Sequence, residues 1–260
     1  MQKIGNILQL AIIQSELFWE DSSANLHYFE NIFKTLRKDV SLVILPETFS
    51  TGFTMNVRQF ADADDHVLTW MQHMAASFKF TLAGSLIVKE KEKYYNRLYV
   101  VEPGGKSDFY NKRHLFTMGR EDKDFTRGKD RVIIKTGPFR ILLQICYDLR
   151  FPVFARNRDD YDAILYVANW PSARKLVWDK LLFARAIENQ AYVIGANRTG
   201  MDGEGQGTCG FSRVIDPKGN EIAALDEQAG ILYAELDYAS LQSFRTNFPV
   251  LRDRDDFQLL

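Results

Sequence analysis

Cysteine is scarce in this 260-residue chain, which carries only Cys146 and Cys209. Two thiols cannot build the disulfide lattice of a small secreted domain, and a chain this long can bury a core without one. Long apolar runs are also missing: no stretch approaches the roughly 18–20 apolar residues that cross a bilayer. The N-terminal segment MQKIGNILQLAIIQSE holds one short apolar run, broken by Gln9 and closed by Gln14 and Glu16. It lacks the longer apolar region and small-residue cleavage site of a secretory signal and reads as a first buried strand. A reducing cytoplasm is the compartment expected, where the Asn197-Arg198-Thr199 triplet carries no glycan. An excess of positive or negative charge is absent too. Lys and Arg number 33 against 34 Asp and Glu, a net charge of −1, so no whole-chain field recruits nucleic acid or an anionic membrane. The histidines, His27, His66, His73 and His114, show neither HxH nor HExxH spacing, which leaves a catalytic metal unsupported. These exclusions leave a protein acting on a small molecule.

What is present describes an ordered α/β chain. An apolar fraction of 46% suits a globular core, and no repeat, low-complexity tract or Pro/Gly/Ser linker divides residues 1–260, which are read as one domain. Short runs of Val, Ile, Leu, Phe and Tyr predict strands at 7–13, 41–46, 80–88, 95–101, 107–111, 139–145, 162–168 and 191–197. Pro103-Gly104-Gly105-Lys106 and Asp216-Pro217-Lys218-Gly219-Asn220 read as tight turns between antiparallel neighbours. Helical periodicity covers 23–37, with Ser22 as N-cap and Leu26, Phe29, Ile32, Phe33 and Leu36 on one face. Further helices are predicted at 66–78, 173–190 and 238–245. The third aligns Leu181, Leu182, Arg185, Ala186 and Asn189. Many strands and few helices predict two mixed sheets packed face to face, with helices on the outer faces.

Three polar residues stand out by position. Glu47 follows the strand Ser41-Leu42-Val43-Ile44-Leu45-Pro46, Lys112 follows Phe109-Tyr110-Asn111, and Cys146 follows Ile141-Leu142-Leu143-Gln144-Ile145. Ligands gather beyond the carboxyl ends of strands in open α/β sheets, so three such side chains can converge. Each alone has an ordinary explanation, because a buried Cys is usually a small hydrophobe and a Glu or Lys after a strand is usually solvated. Together they supply what a nucleophilic thiol needs. Glu47 can take its proton, and Lys112 can stabilise thiolate and then a tetrahedral oxyanion, with the backbone N–H of Tyr147 as second donor.

Pro46-Glu47, Lys112-Arg113-His114-Leu115-Phe116 and Cys146-Tyr147-Asp148-Leu149-Arg150-Phe151-Pro152 resemble the Glu-Lys-Cys signature of the nitrilase superfamily of carbon–nitrogen hydrolases. The resemblance runs from the first strand to the C-terminal tail and includes 184–190. Glu102-Pro103-Gly104-Gly105 and Val167-Ala168-Asn169-Trp170-Pro171 are similar to the omega-amidase branch. The resemblance implies an α-β-β-α sandwich, a homodimer, and neither metal nor cofactor. It adds Glu121 as a second glutamate that positions Lys112 and the leaving group and shares base duty. It implies hydrolysis of the terminal amide of short 2-oxo dicarboxylic acid monoamides, such as 2-oxoglutaramate and 2-oxosuccinamate, through a cysteine thioester. The Tyr-Asp after the cysteine, in place of Trp-Glu, points to amides over nitriles. An anionic substrate calls for a further cation, for which Arg174 is the candidate, with a solvated arginine at a helix start as the equal alternative. Phe116, Met118 and Trp170 are candidate pocket walls, though large aromatics more often serve a core.

Other features are set aside. Asp148 and Arg150 read as an ion pair fixing the nucleophile turn, and His114 as a residue that orients its loop. Gly203-Glu204-Gly205-Gln206-Gly207 lacks phosphate-loop spacing and reads as a flexible loop near the site. Cys209 reads as a packed thiol. An N-carbamoyl or aliphatic amidase of the same superfamily remains the nearest rival. A thiol redox protein using Cys146 is the rival from another class, and it would need a resolving thiol.

Overall fold

The computed structural model describes residues 5–258. In chain order the strands are β1 (Ile7–Gln14), β2 (Leu42–Ile44), β3 (Thr81–Glu90), β4 (Lys93–Val101), β5 (Ser107–Asn111), β6 (Ile133–Thr136) and β7 (Phe139–Ile145). They continue with β8 (Ala163–Ala168), β9 (Tyr192–Asn197), β10 (Thr199–Met201), β11 (Gly207–Cys209), β12 (Arg213–Ile215), β13 (Glu221–Ala224) and β14 (Gly230–Asp237). The helices are α1 (Ser22–Phe33), α2 (Val57–Phe60), α3 (His66–Phe78), α4 (Glu121–Asp124), α5 (Pro152–Ala155), α6 (Lys175–Asn189) and α7 (Tyr238–Asn247).

Two six-stranded sheets form, in the orders β14-β1-β2-β3-β4-β5 and β13-β12-β9-β8-β7-β6, while β10 and β11 pair as a separate ribbon. Each sheet has a parallel centre, β1-β2-β3 and β7-β8-β9, flanked by antiparallel strands. Period-two alternation explains the layers. Along β1, Leu8, Leu10 and Ile12 enter the core between the sheets, whereas Ala11 and Ile13 face α1 and α3. Along β8, Ala163, Leu165 and Val167 face the other sheet, whereas Ile164, Tyr166 and Ala168 pack with Trp178, Leu182 and Ala186 of α6. Helix, sheet, sheet and helix therefore stack as the expected α-β-β-α sandwich. The central strands are covered on both faces, which is why they read as continuous apolar runs.

All eight predicted strands form, with boundaries within a few residues, and both predicted turns join antiparallel pairs. No strand is predicted at β6, β10, β11, β12, β13 or β14, all of which form. Along 230–237, β14 alternates buried Leu232, Ala234 and Leu236 with partly buried Ile231 and Tyr233, as an edge strand does. The first helix ends at Phe33, short of the predicted 37, and its N-cap is Asp21, whose carboxylate accepts from Ala24 N–H at 2.9 Å, not Ser22. On α6 the buried stripe includes Trp178, and Leu181 sits at its margin.

Candidate active site

Sheet ends carry the site. Glu47 lies just past β2, Lys112 directly after β5, Cys146 directly after β7 and Asn169 directly after β8. They meet in one narrow cleft, also lined by Phe53, Phe116, Tyr147, Arg150, Trp170, Arg174 and Gln206. The chain leaves β7 abruptly, with Cys146 at φ +44°, a left-handed conformation that costs a non-glycine residue about 1–3 kcal/mol. Thr48, after Glu47, is likewise left-handed at φ +46°, and its N–H donates to Ser85 Oγ at 2.8 Å.

Lys112 is 1% exposed and sits between two carboxylates, with Nζ 2.9 Å from Glu47 Oε1 and 3.0 Å from Glu121 Oε1. Asn96 Nδ2 donates to both, at 2.8 Å to Glu47 Oε1 and 3.4 Å to Glu121 Oε1. The free oxygen of Glu47 accepts the backbone N–H of Asn169 at 2.7 Å, while Glu121 Oε2 accepts Phe116 N–H at 2.6 Å. Asn169 Nδ2 also holds the Glu47 carbonyl at 2.8 Å. The two carboxylates are thus oriented from both sides and cannot turn away from the ammonium.

The electrostatics follow from burial. Desolvation alone would depress the Lys112 ammonium, but the charges of Glu121 and Glu47 more than offset it and hold the lysine above its ordinary range. Burial pushes Glu121 up, and the neighbouring Glu47 charge adds to the rise that Lys112 opposes. Burial also pushes the half-buried Cys146 thiol well above its usual range; Glu47 adds to this and Lys112 opposes it. Burial therefore favours the protonated thiol, and any attack by this sulfur requires a proton acceptor beside it.

Two readings need correction. The Asp148–Arg150 ion pair does not form: the Asp148 carboxylate is fully buried and bonds Tyr110, His114 and Ile145 instead. Arg150 turns into the cleft, where its guanidinium lies 5.6 Å from the Trp170 ring centroid. Met118 does not wall the cleft; its side chain is 79% exposed on the turn Thr117–Gly119. Phe116, Trp170 and Arg174 do line it, and Arg174 lies 5.0 Å from the Phe116 ring centroid. Among the described residues neither Arg150 nor Arg174 has an acidic partner, so the cleft presents two uncompensated cations stacked on aromatic faces. His114 does hold its loop, with Nδ1 2.7 Å from Asp148 Oδ1 and its ring stacked on Phe151. The glycine-rich segment is the turn of the β10–β11 ribbon and brings Gln206 to the cleft. Gly203 allows this, because a Cβ there would lie 2.3 Å from the Trp19 ring. Cys209 is buried beside Asn197 and its thiol is pushed up to about 11, chiefly by desolvation.

Sequence reasoning missed Asn96, Asn169, Phe53, Arg150 and Gln206 as site residues. Only Asn96 left a signal: with Leu98 and Val100 it shares the inward face of β4, where a polar side chain needs a partner.

The carbon–nitrogen hydrolase family matches residues 9–246. The chain is 46% identical over 254 residues to the omega-amidase YafV of Escherichia coli K12, covering 97% of this chain and 98% of that protein. It is 30% identical over 250 residues to a 2-oxoglutaramate amidase of Bacillus subtilis, covering 94% and 96%. Its fold matches the crystal structure of XC1258 from Xanthomonas campestris, a CN-hydrolase superfamily protein with an arsenic adduct in its active site. The TM-score is 0.95 at 37% identity, covering 98% and 99% of the two chains. Nit3 of Saccharomyces cerevisiae, of branch 10 of the nitrilase superfamily, matches with a TM-score of 0.85 at 28% identity, covering 96% and 97%. A family match over most of the chain, with close relatives aligned end to end, places this protein in the carbon–nitrogen hydrolase family, within the omega-amidase branch of the nitrilase superfamily.

Proposed function

We propose that this hydrolase removes ammonia from the terminal amide of short 2-oxo dicarboxylic acid monoamides such as 2-oxoglutaramate and 2-oxosuccinamate. The observation that carries this is the pair of uncompensated guanidiniums, Arg150 and Arg174, in the same cleft as Cys146, Lys112 and Glu47. A neutral aliphatic amide has little use for two uncompensated guanidiniums, whereas a carboxylate matches a guanidinium fork.

In the proposed mechanism Glu47 accepts the thiol proton as Cys146 Sγ attacks the amide carbon. Lys112 Nζ and the Tyr147 N–H stabilise the oxyanion. Glu47 then delivers that proton to the nitrogen, the carbon–nitrogen bond breaks, ammonia leaves, and a thioester remains. Water gives a proton to Glu47 while its oxygen attacks the thioester carbon; collapse releases the acid and returns the proton to the sulfur. Glu121 orients Lys112 and keeps it charged. These steps need no metal or cofactor, because an ammonium supplies the positive charge at the oxyanion. We further take residues 1–260 as one catalytic domain acting as a homodimer in the cytoplasm. Exposed Val153, Leu176 and Ile187 on α5 and α6 offer apolar surface for a second copy.

The test is ammonia release from 2-oxoglutaramate, 2-oxosuccinamate, glutamine and a simple nitrile, with the wild type and Cys146→Ala. Turnover of the oxo-amides, abolished by the substitution, is the expected result. Release from none of the four would move the substrate to the carbamoyl amides, and activity surviving in Cys146→Ala would overturn the mechanism.

A further inference from the structure

The strained turn at the nucleophile has to be held by something. Cys146 stands at φ +44°, and a residue with a Cβ keeps such a backbone only where its surroundings enforce it. Asp148, two residues on, is completely buried, and both of its oxygens are engaged twice. Oδ2 accepts the Ile145 N–H at 2.9 Å and the Tyr110 hydroxyl at 2.8 Å. Oδ1 accepts the His114 N–H at 2.9 Å and His114 Nδ1–H at 2.7 Å. The Tyr110 oxygen in turn accepts the Arg113 N–H at 3.1 Å.

These contacts fall on two chain segments that meet nowhere in sequence. Ile145 and Asp148 bracket Cys146, and Tyr110 and His114 bracket Lys112. One carboxylate therefore pins the turn that carries the nucleophile to the loop that carries the ammonium. We infer that Asp148 is a positioning residue that fixes Cys146 Sγ relative to Lys112 Nζ, so that one oxyanion can be reached by both. Asp148 touches no reacting atom; it acts through the geometry of the two residues it brackets. The inference rests on the roles proposed above for Cys146 and Lys112.

Asp148→Asn keeps the volume but replaces one acceptor oxygen by an NH₂ donor. Either the Ile145 N–H or the His114 donors then face another donor, and one side of the clamp opens. Misplacement of catalytic groups by a fraction of an ångström to an ångström lowers kcat by about 100-fold while leaving KM within about threefold. Alkylation of Cys146 by iodoacetamide, followed on its own peptide by mass spectrometry, slows by about tenfold or more as Lys112 moves off the sulfur. Tyr110→Phe removes one arm of the clamp and should show the same signature, weaker. It carries the test if Asp148→Asn does not fold.

A folded variant whose kcat and alkylation rate stay within about twofold of wild type would refute the inference, as would a loss confined to KM. So would a loss that vanishes well below the unfolding temperature, since that describes stability and not positioning. The alkylation comparison requires no turnover of an oxo-amide, so it decides the role of Asp148 even if the proposed substrates fail.

Discussion

Replacing Lys112 by Met tests the electrostatics of the site in a single protein. Met matches the lysine in length and leaves Glu47 and Glu121, 1% and 0% exposed, facing each other with no cation between them. In the wild type burial already raises Glu121 and Lys112 opposes that rise, so deleting the ammonium raises the carboxyl further. A carboxyl protonated in the folded state and ionised in the unfolded one makes the folded state bind more protons. Stability then falls as pH rises, from the unfolded carboxyl value near 4.5 up to the raised folded value. Wherever between pH 5.5 and pH 8 the carboxyl stays protonated in the folded state, each pH unit costs about 1.4 kcal/mol. For a chain of this size that corresponds to roughly 3–6 °C in Tm per pH unit. Thermal unfolding of wild type and Lys112→Met at both pH values measures the difference. The variant should lose stability toward pH 8 relative to wild type and lose turnover by at least about 100-fold at every pH. A variant whose stability follows the wild-type pH profile would refute the claim that Lys112 neutralises a buried carboxylate pair.

Two further outcomes are expected. Arg150→Met and Arg174→Met should each raise KM for an oxo-acid amide by about tenfold or more, while turnover of a short neutral amide stays near wild type. Equal losses on both substrates would mean that the arginines shape the cleft and do not read a carboxylate. Gly203→Val puts a side chain into the Trp19 ring, since even a Cβ would stand 2.3 Å away. The ribbon and Gln206 must then shift, so KM should rise with little change in Tm; unchanged KM would remove the ribbon from substrate binding.

Much of this molecule was legible before any coordinates. Strand periodicity is a local property, so β1, β3, β4, β7, β8 and β9 could be read from short apolar runs, and the ends of β2, β5 and β7 pointed to Glu47, Lys112 and Cys146. The edge strand β14 went unread although Ile231-Leu232-Tyr233-Ala234 is a short apolar run of the same kind; it is covered less completely than the central strands. The N-cap moved from Ser22 to Asp21 because adjacent capping residues compete and only the side chain that reaches the third amide wins.

The sequence by itself therefore determined the two-sheet sandwich, the three strand ends that bear Glu47, Lys112 and Cys146, and a net charge of −1. Tertiary structure alone decided what surrounds those three residues. Asn169 reaches Glu47 across 122 residues of chain, and Asn96 bridges carboxylates 49 and 25 residues away. It also decided that Asp148 holds Tyr110 and His114, which frees Arg150, two residues on, to face the cleft. The physical reason is range. Periodicity and turn chemistry act over a few residues, whereas the partner of a buried charge is whichever polar group the packed sheets bring within about 3 Å.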